Sequence, residues 1–334
     1  MERIASLGLL EKHLSQNPRL QCIIIADGNT LEHCLPNLIY NVGSLSEAQI
    51  IELEPGENSK DLETYQSIIE ALMEQGADRD TKLIALGGGV VCDIANFVAG
   101  TFKRGIGTYL IPTTTLAMVD AAIGGKCGLN VRNVKNQIGL FHEAELVCID
   151  NEFLKTLPAR QIENGAVEML KTALISDKAL ALAMMQTSPL KIGTDRRFIK
   201  QCIKIKQNIV KQDKFDRFER KLLNFGHTIG HAIESLALEN GKDLLHGEAV
   251  ASGMYYAAAL SKDIGVDNRK LLQNYLSTYY EIEKITDAIP ELFDYMNNDK
   301  KNKNGHCNFV LLEDIGKGIY DQVISKEDII RAIS

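Results

Sequence analysis

Lys82-Leu-Ile-Ala-Leu-Gly87-Gly88-Gly89-Val90-Val91-Cys92-Asp93 is the stretch that decides the fold. A short apolar run stops at consecutive glycines and resumes as an apolar segment of helical character. A strand buried on both faces reads as such a run, and the glycines mark where it hands over to a helix. They also let backbone N–H groups approach a diphosphate at the helix N-terminus. The spacing is not Gly-x-Gly-x-x-Gly, so the usual dinucleotide fingerprint is absent and a tight turn is the plainer reading.

Outward from this junction the same rhythm recurs. Gln21–Ala26 is apolar and ends at the turn signal Asp27-Gly28-Asn29. Ile50–Leu53, Thr108–Ile111 and Leu146–Ile149 are further strand segments, and Leu62–Gln75 has a helical pattern. Strands alternating with helices predict an α/β N-terminal domain with a mostly parallel, Rossmann-like sheet covered on both faces. Past Thr156-Leu-Pro158 the alternation stops. Helical patterns follow over Arg160–Ile175, Arg197–Lys211, Asn224–Leu238, Glu248–Lys262 and Asn268–Tyr280, and Asn308–Leu312 is the one strand-like run. The expected division is residues 1–157, α/β, and residues 158–334, mainly α-helical, with the active site in the interdomain cleft.

The 334 residues suffice for two domains with sizeable cores. No apolar run is long enough to span a bilayer, and Met1-Glu2-Arg3-Ile4 lacks the layout of a secretion signal. Seven dispersed cysteines with no Cys-x-x-Cys pair read as free thiols in a reducing cytoplasm. A net charge of −7 argues against nucleic acid as a partner, so an anionic ligand needs a local cluster of cations.

Ligands of parallel sheets gather where strands end. Thr108-Tyr-Leu-Ile-Pro112-Thr113-Thr114-Thr115 ends a strand in hydroxyls, which either contact a cofactor or cap the next helix. Asp120-Ala-Ala-Ile-Gly124-Gly125-Lys126 is not a nucleotide-triphosphate loop, because Asp120 replaces its first glycine and Cys127 its Ser or Thr. Lys126, Lys135 and Asn136 then form a candidate phosphate surface on glycine-rich loops, against the plainer reading of solvated lysines.

Asn224-Phe-Gly-His227-Thr-Ile-Gly-His231 places two of only seven histidines at i and i+4, on one face of a helix. Neutral imidazoles so arranged suit a zinc-like ion completed by residues from elsewhere; His246-Gly-Glu248 strengthens that reading against a satisfied structural pair.

These stretches, with Gly165-Ala-Val-Glu168-Met-Leu-Lys171 and Asp299-Lys300-Lys301, stand in one order over roughly residues 20 to 320. Together they resemble the 3-dehydroquinate synthases, a sugar-phosphate cyclase family. The resemblance implies a homodimeric lyase of the shikimate pathway that needs NAD and zinc or cobalt. Its substrate is a small sugar phosphate, 3-deoxy-D-arabino-heptulosonate 7-phosphate, and its products are 3-dehydroquinate and phosphate. It implies Glu168, His227 and His246 as the metal ligands, which moves His231 from metal to substrate. Asp120, Lys126, Lys171, Lys206, Arg220, Asn224 and His231 match catalytic positions. Lys126, Asn136, Asn224, His231, Lys300 or Lys301, and Arg104 from the neighbouring subunit, match the phosphate pocket. Asp27, Glu57, Lys60, Gly88, Gly89, Asp93, Thr113, Thr114, Lys135, Phe153, Thr156 and Leu157 match NAD contacts, making the first domain the cofactor domain. Asp216, Glu219, Cys127 and Asn96 depart from the family's usual glutamate, leucine, threonine and glycine, and none removes a charge that the chemistry needs.

Three other functions share part of this residue set. A metal-dependent NAD(P) alcohol or glycerol dehydrogenase shares the glycines and Pro-Thr-Thr but has no use for the lysine-rich phosphate set. Another sugar-phosphate cyclase differs only in substrate. A silent NAD- or metal-binding regulator has no need of so complete a chemical set.

Overall fold

The computed structural model describes residues 3–131, 134–285, 289–298 and 308–333. The chain divides into two compact units, Met1–Gln161 and Ile162–Ser334.

The first unit is built on β1 (Arg3–Ala5), β2 (Cys22–Asp27), β3 (Gln49–Leu53), β4 (Lys82–Gly87), β5 (Gly107–Pro112) and β8 (Leu146–Cys148), which form one sheet in the order β1-β8-β5-β4-β2-β3. Every pairing in it is parallel. Central strands are apolar throughout because both faces are covered. Ile23, Ile25, Leu83 and Ala85 pack in one cluster with Val91, Ile94, Ala95 and Val98 of the Gly89–Thr101 helix. Ile24, Ile84 and Tyr109, alternating with them, are buried on the opposite side. At roughly 25 cal/mol per Å² of apolar surface removed from water, such side chains supply the main drive to fold.

The stretch carrying Lys126, Lys135 and Asn136 is not a loop. It is an antiparallel hairpin of β6 (Lys126–Val131) and β7 (Val134–Phe141), paired from Lys126↔Phe141 to Leu129↔Ile138 and, after a register shift, at Val131↔Val134. Asn96, a departure noted in the sequence, anchors it: its Nδ2 donates to the His142 carbonyl at 2.7 Å and its Oδ1 accepts from Thr108 Oγ1 at 2.7 Å. Upstream, Ala117–Ala121 winds as a single π-helical turn that carries Asp120. Such turns concentrate at functional sites.

The second unit is mainly helical, as the periodicity predicts. Its one sheet among the described residues is a second hairpin, β9 (Asn308–Asp314) with β10 (Lys317–Val323). The single strand expected here therefore has a partner; Lys317-Gly-Ile-Tyr-Asp-Gln-Val is largely solvent-facing and lacks an apolar run. The His227–Glu239 and His246–Leu260 helices lie backbone against backbone. A Cβ on Gly253 would sit 1.9 Å from the Gly226 carbonyl oxygen, so only glycine permits the approach. Gly226 itself, at φ 79°, takes the left-handed conformation as N-cap, so the helix opens at His227 and not at Asn224. No helix among the described residues is long and apolar enough to cross a membrane.

Candidate functional site

In the second unit three helices bring ligand-type atoms together. Glu168 lies on the Ala159–Leu174 helix and is 1% exposed. Its Oε1 is 3.7 Å from His227 Nε2 and 3.5 Å from His246 Nε2. Donors about 2.0–2.1 Å from a tetrahedral zinc-like ion stand about 3.3–3.4 Å apart, so these separations fit one ion with little adjustment. Both carboxylate oxygens are buried without a hydrogen bond of good geometry among the described residues, although Lys171, one turn along, forms a close ion pair with Glu168. A buried carboxylate so placed is poised for a further cation.

Both imidazoles are held from behind. His227 Nδ1 lies 3.2 Å from the Phe225 carbonyl oxygen, and His246 Nδ1 lies 3.3 Å from Glu234 Oε2. With Nδ1–H donated to those oxygens, the Nε2 atoms are the ones that face Glu168 and that an ion bound there would engage. Burial opposes charge on Glu168, yet Lys171 and His246 outweigh it and hold the carboxyl down at about 2. Burial likewise opposes charge on His246, but Glu168 and Glu234 lift it to about 10.

His231 extends the cluster. Its ring centroid is 4.9 Å from that of His227 and 5.7 Å from that of His246. Ligand atoms of the three histidines lie within 4.8 Å of one another. Two three-residue sets thus share His227 and His246. The Glu168 set would offer an anion to a dication, whereas the His231 set would offer three imidazoles and no charge. Glu234, on the same helix as His227 and His231, joins the cluster through His246.

Elsewhere in this unit Lys206 and Arg220 are buried at 5% and 2% exposure. Arg220 Nη1 donates to the Lys214 carbonyl at 2.8 Å. Asp213 accepts the N–H groups of Arg217, Phe218 and Arg220, which overcome the upward push of burial and hold it below the usual carboxylate range. Asn224 Nδ2 donates to the Lys221 carbonyl at 3.0 Å. Lys300 and Lys301 lie outside the described residues.

In the first unit, the strand order reverses between β2 and β4: β3 lies outside β2, whereas β5 and β8 lie beyond β4. Such a switch point leaves a crevice at the carboxyl ends of the strands. Asp27 ends β2, and Gly88-Gly89 follow β4 there, with Thr113 and Thr114 next after β5. Gly88 is the N-cap of the Gly89–Thr101 helix and has no side chain to occupy the first-turn N–H groups, which suits a diphosphate. Asp27 caps its own helix, accepting from Thr30 N–H at 2.9 Å. Beside this edge the buried Lys60 joins Asp93 in a close ion pair and donates to Asn136 Oδ1 at 2.7 Å. Asn136, at φ 54°, donates its N–H to Asn130 Oδ1 at 2.9 Å, and Asn130 Nδ2 donates to Glu57 at 2.8 Å. The expected cofactor residues Glu57, Lys60 and Asp93 therefore share one polar network with the expected phosphate residue Asn136. Lys126 and Lys135 are exposed on the same hairpin, Asp120 and Thr114 are half-buried, and Phe153 is buried on a short 3₁₀ turn just before Thr156 and Leu157. Arg104 is exposed on a turn where Lys103 and Arg104 adopt φ of 49° and 72°.

The sequence profile described as 3-dehydroquinate synthase N-terminal matches residues 50–164, and that described as 3-dehydroquinate synthase C-terminal matches residues 165–302. A 3-dehydroquinate synthase of Parabacteroides distasonis is 37% identical over 331 residues, covering 97% of this chain and 93% of that protein. Among solved structures, a 2-deoxy-scyllo-inosose synthase complexed with carbaglucose-6-phosphate, NAD+ and Co2+ superposes with a TM-score of 0.84 at 27% identity, over 99% of this chain and 95% of the other. An NADH-dependent butanol dehydrogenase of Thermotoga maritima matches at a TM-score of 0.67 and 13% identity, over 100% and 97% of the two chains. That likeness shows a shared fold alone.

Proposed function

Because the chain belongs to the 3-dehydroquinate synthase family, we propose that it converts 3-deoxy-D-arabino-heptulosonate 7-phosphate to 3-dehydroquinate and phosphate. The reaction oxidises one ring hydroxyl, which acidifies the neighbouring C–H; phosphate is eliminated, the ketone is reduced again, and the ring opens and recloses by an aldol step. NAD supplies the transient oxidation and is regenerated in each turnover, so it is a resident cofactor and not a consumed substrate. A bound zinc or cobalt ion supplies Lewis acidity toward the substrate hydroxyls.

The chain's own residues divide this work. Glu168, His227 and His246 hold the ion, with Glu234 and the Phe225 carbonyl fixing the two rings. The observation that carries this reading is the approach of Glu168 Oε1 to 3.7 and 3.5 Å of the two Nε2 atoms. Gly88 and Gly89 offer backbone N–H groups to the cofactor diphosphate, with Asp27, Glu57, Lys60, Asp93, Thr113, Thr114, Lys135, Phe153, Thr156 and Leu157 around it. Lys126, Asn136, Asn224 and His231 receive the phosphate, Asn136 through its amide nitrogen, since an anion needs donors. Preorganised donors of this kind are worth about 3–4 kcal/mol each where charge develops on the leaving group. Asp120, Lys171, Lys206 and Arg220 complete the substrate contacts.

We further propose a homodimer in which Arg104 reaches the partner's phosphate pocket. Its exposure supports this, as does its place on a turn of two non-glycine residues at positive φ, a conformation that costs about 1–3 kcal/mol per residue and clusters at functional sites.

The test follows phosphate and NADH together, with NAD, zinc or cobalt, and the heptulosonate phosphate supplied. Continuous phosphate release without accumulating NADH is expected. Stoichiometric growth of NADH with an alcohol would instead make the protein a dehydrogenase.

A further inference from the structure

Two of the three ion-facing side chains are linked through a residue outside that set. Asn164 lies on the Ala159–Leu174 helix one turn before Glu168 and is 6% exposed. Its Oδ1 accepts the backbone N–H of Gly247 at 2.5 Å. Gly247 is the second residue of the His246–Leu260 helix, so its N–H is one of the first-turn donors without an acceptor in its own helix. The N-cap, Leu245, has no side-chain acceptor to offer; Glu248 reaches back to the Leu245 N–H at 2.9 Å, which meets only half of the need. Asn164 supplies the other half from a different helix. A Cβ on Gly247 would lie 2.2 Å from the Asn164 carbonyl oxygen and 2.6 Å from Oδ1, so the two backbones meet at this point. One short hydrogen bond therefore joins the peptide beside His246 to a position one turn from Glu168.

We propose that Asn164 is a positioning residue for the divalent-ion site, fixing where the His246 helix starts relative to Glu168; this rests on Glu168, His227 and His246 as the ligand set. Without the Asn164 acceptor, the first turn of the His246 helix loses this hydrogen bond to the Glu168 helix. The 3.5 Å separation of His246 Nε2 from Glu168 Oε1 is then set with one support fewer, Glu234 still holding the ring but not the start of its helix. The consequence belongs to ion affinity and geometry more than to the fold.

The test titrates Co2+ into metal-free full-length protein and records its d–d absorption, for wild type, Asn164→Ala, Asn164→Asp and Glu168→Gln. Asn164→Ala should weaken Co2+ binding about 10- to 100-fold and alter the band intensities, as loss of a supporting hydrogen bond does in metal sites. Asn164→Asp keeps an acceptor toward a helix N-terminus and should recover most of the affinity. If Asn164→Ala binds Co2+ as tightly as wild type with an unchanged spectrum, while Glu168→Gln binds poorly, the positioning role is overturned and the ligand set survives. If Glu168→Gln has no effect, the ligand set is wrong and the proposal falls with it.

Discussion

Glu168 and the two imidazoles facing it are held by neighbours that never touch an ion. Glu234 is the clearest case, standing 3.3 Å behind His246 Nδ1. Glu234→Gln keeps the size and an acceptor but removes the charge that favours the ligating tautomer. Zinc affinity in competition with a chelator should fall about 10-fold or more, with the melting temperature little changed. His246→Ala removes a proposed ligand outright and should cost at least as much; an unchanged affinity would take His246 out of the set. At this scale the sequence was legible where a residue type carries the chemistry itself. Histidines at i and i+4 are visible in a string of letters, but which of them ligates depends on where Glu168 arrives from another helix. Spacing alone left His231 and His227 equivalent, and the resemblance to a family separated them. Asn164 was invisible, because an asparagine gives no sign of a partner 83 positions away.

Helices and strands carry those residues to their places through close backbone contact. Gly253→Ala would drive a methyl group into the Gly226 carbonyl, 1.9 Å from the ideal Cβ position. Overpacking of this kind costs about 1–3 kcal/mol. Calorimetry should show a lowered melting temperature, and zinc affinity should fall as well, because His227 and His246 sit on the two helices being pushed apart. In the first unit the central strands were readable from their apolar runs, since both their faces are covered and leave no alternation to misjudge; the edge strand β1, Arg3–Ala5, was not, being too short to show a run. The β6–β7 hairpin was not. Its glycines and lysines look like loop composition, and only its seat against the Gly89–Thr101 helix, anchored by Asn96, makes strands of them. The π-helical turn at Asp120 left no trace in periodicity either. Lys60→Met, which removes the ammonium shared by Asp93 and Asn136, should weaken NAD binding and raise the substrate KM together, each by roughly 10-fold, a charged hydrogen bond being worth about 1.5–3 kcal/mol. An effect on only one of the two would separate cofactor from phosphate residues.

For the whole molecule, the proposed exchange of Arg104 predicts complementation. Arg104→Ala protein should keep its affinity for NAD while its substrate KM rises about 10- to 100-fold. Mixed and re-equilibrated with inactive His246→Ala protein, it should regain activity, because a mixed dimer contains one site with both an ion and the partner's arginine. Random exchange of equal amounts yields about a quarter of wild-type sites. No gain on mixing would place Arg104 in its own subunit's site or in none. In the proposed site a carboxylate and two imidazoles grip one ion, with His231 left to the substrate. Anomalous diffraction from cobalt-loaded crystals tests it most directly. The predicted peak lies about 2.0–2.2 Å from a Glu168 oxygen and from Nε2 of both His227 and His246; a peak shared by His227, His231 and His246, with Glu168 outside the coordination sphere, would contradict it.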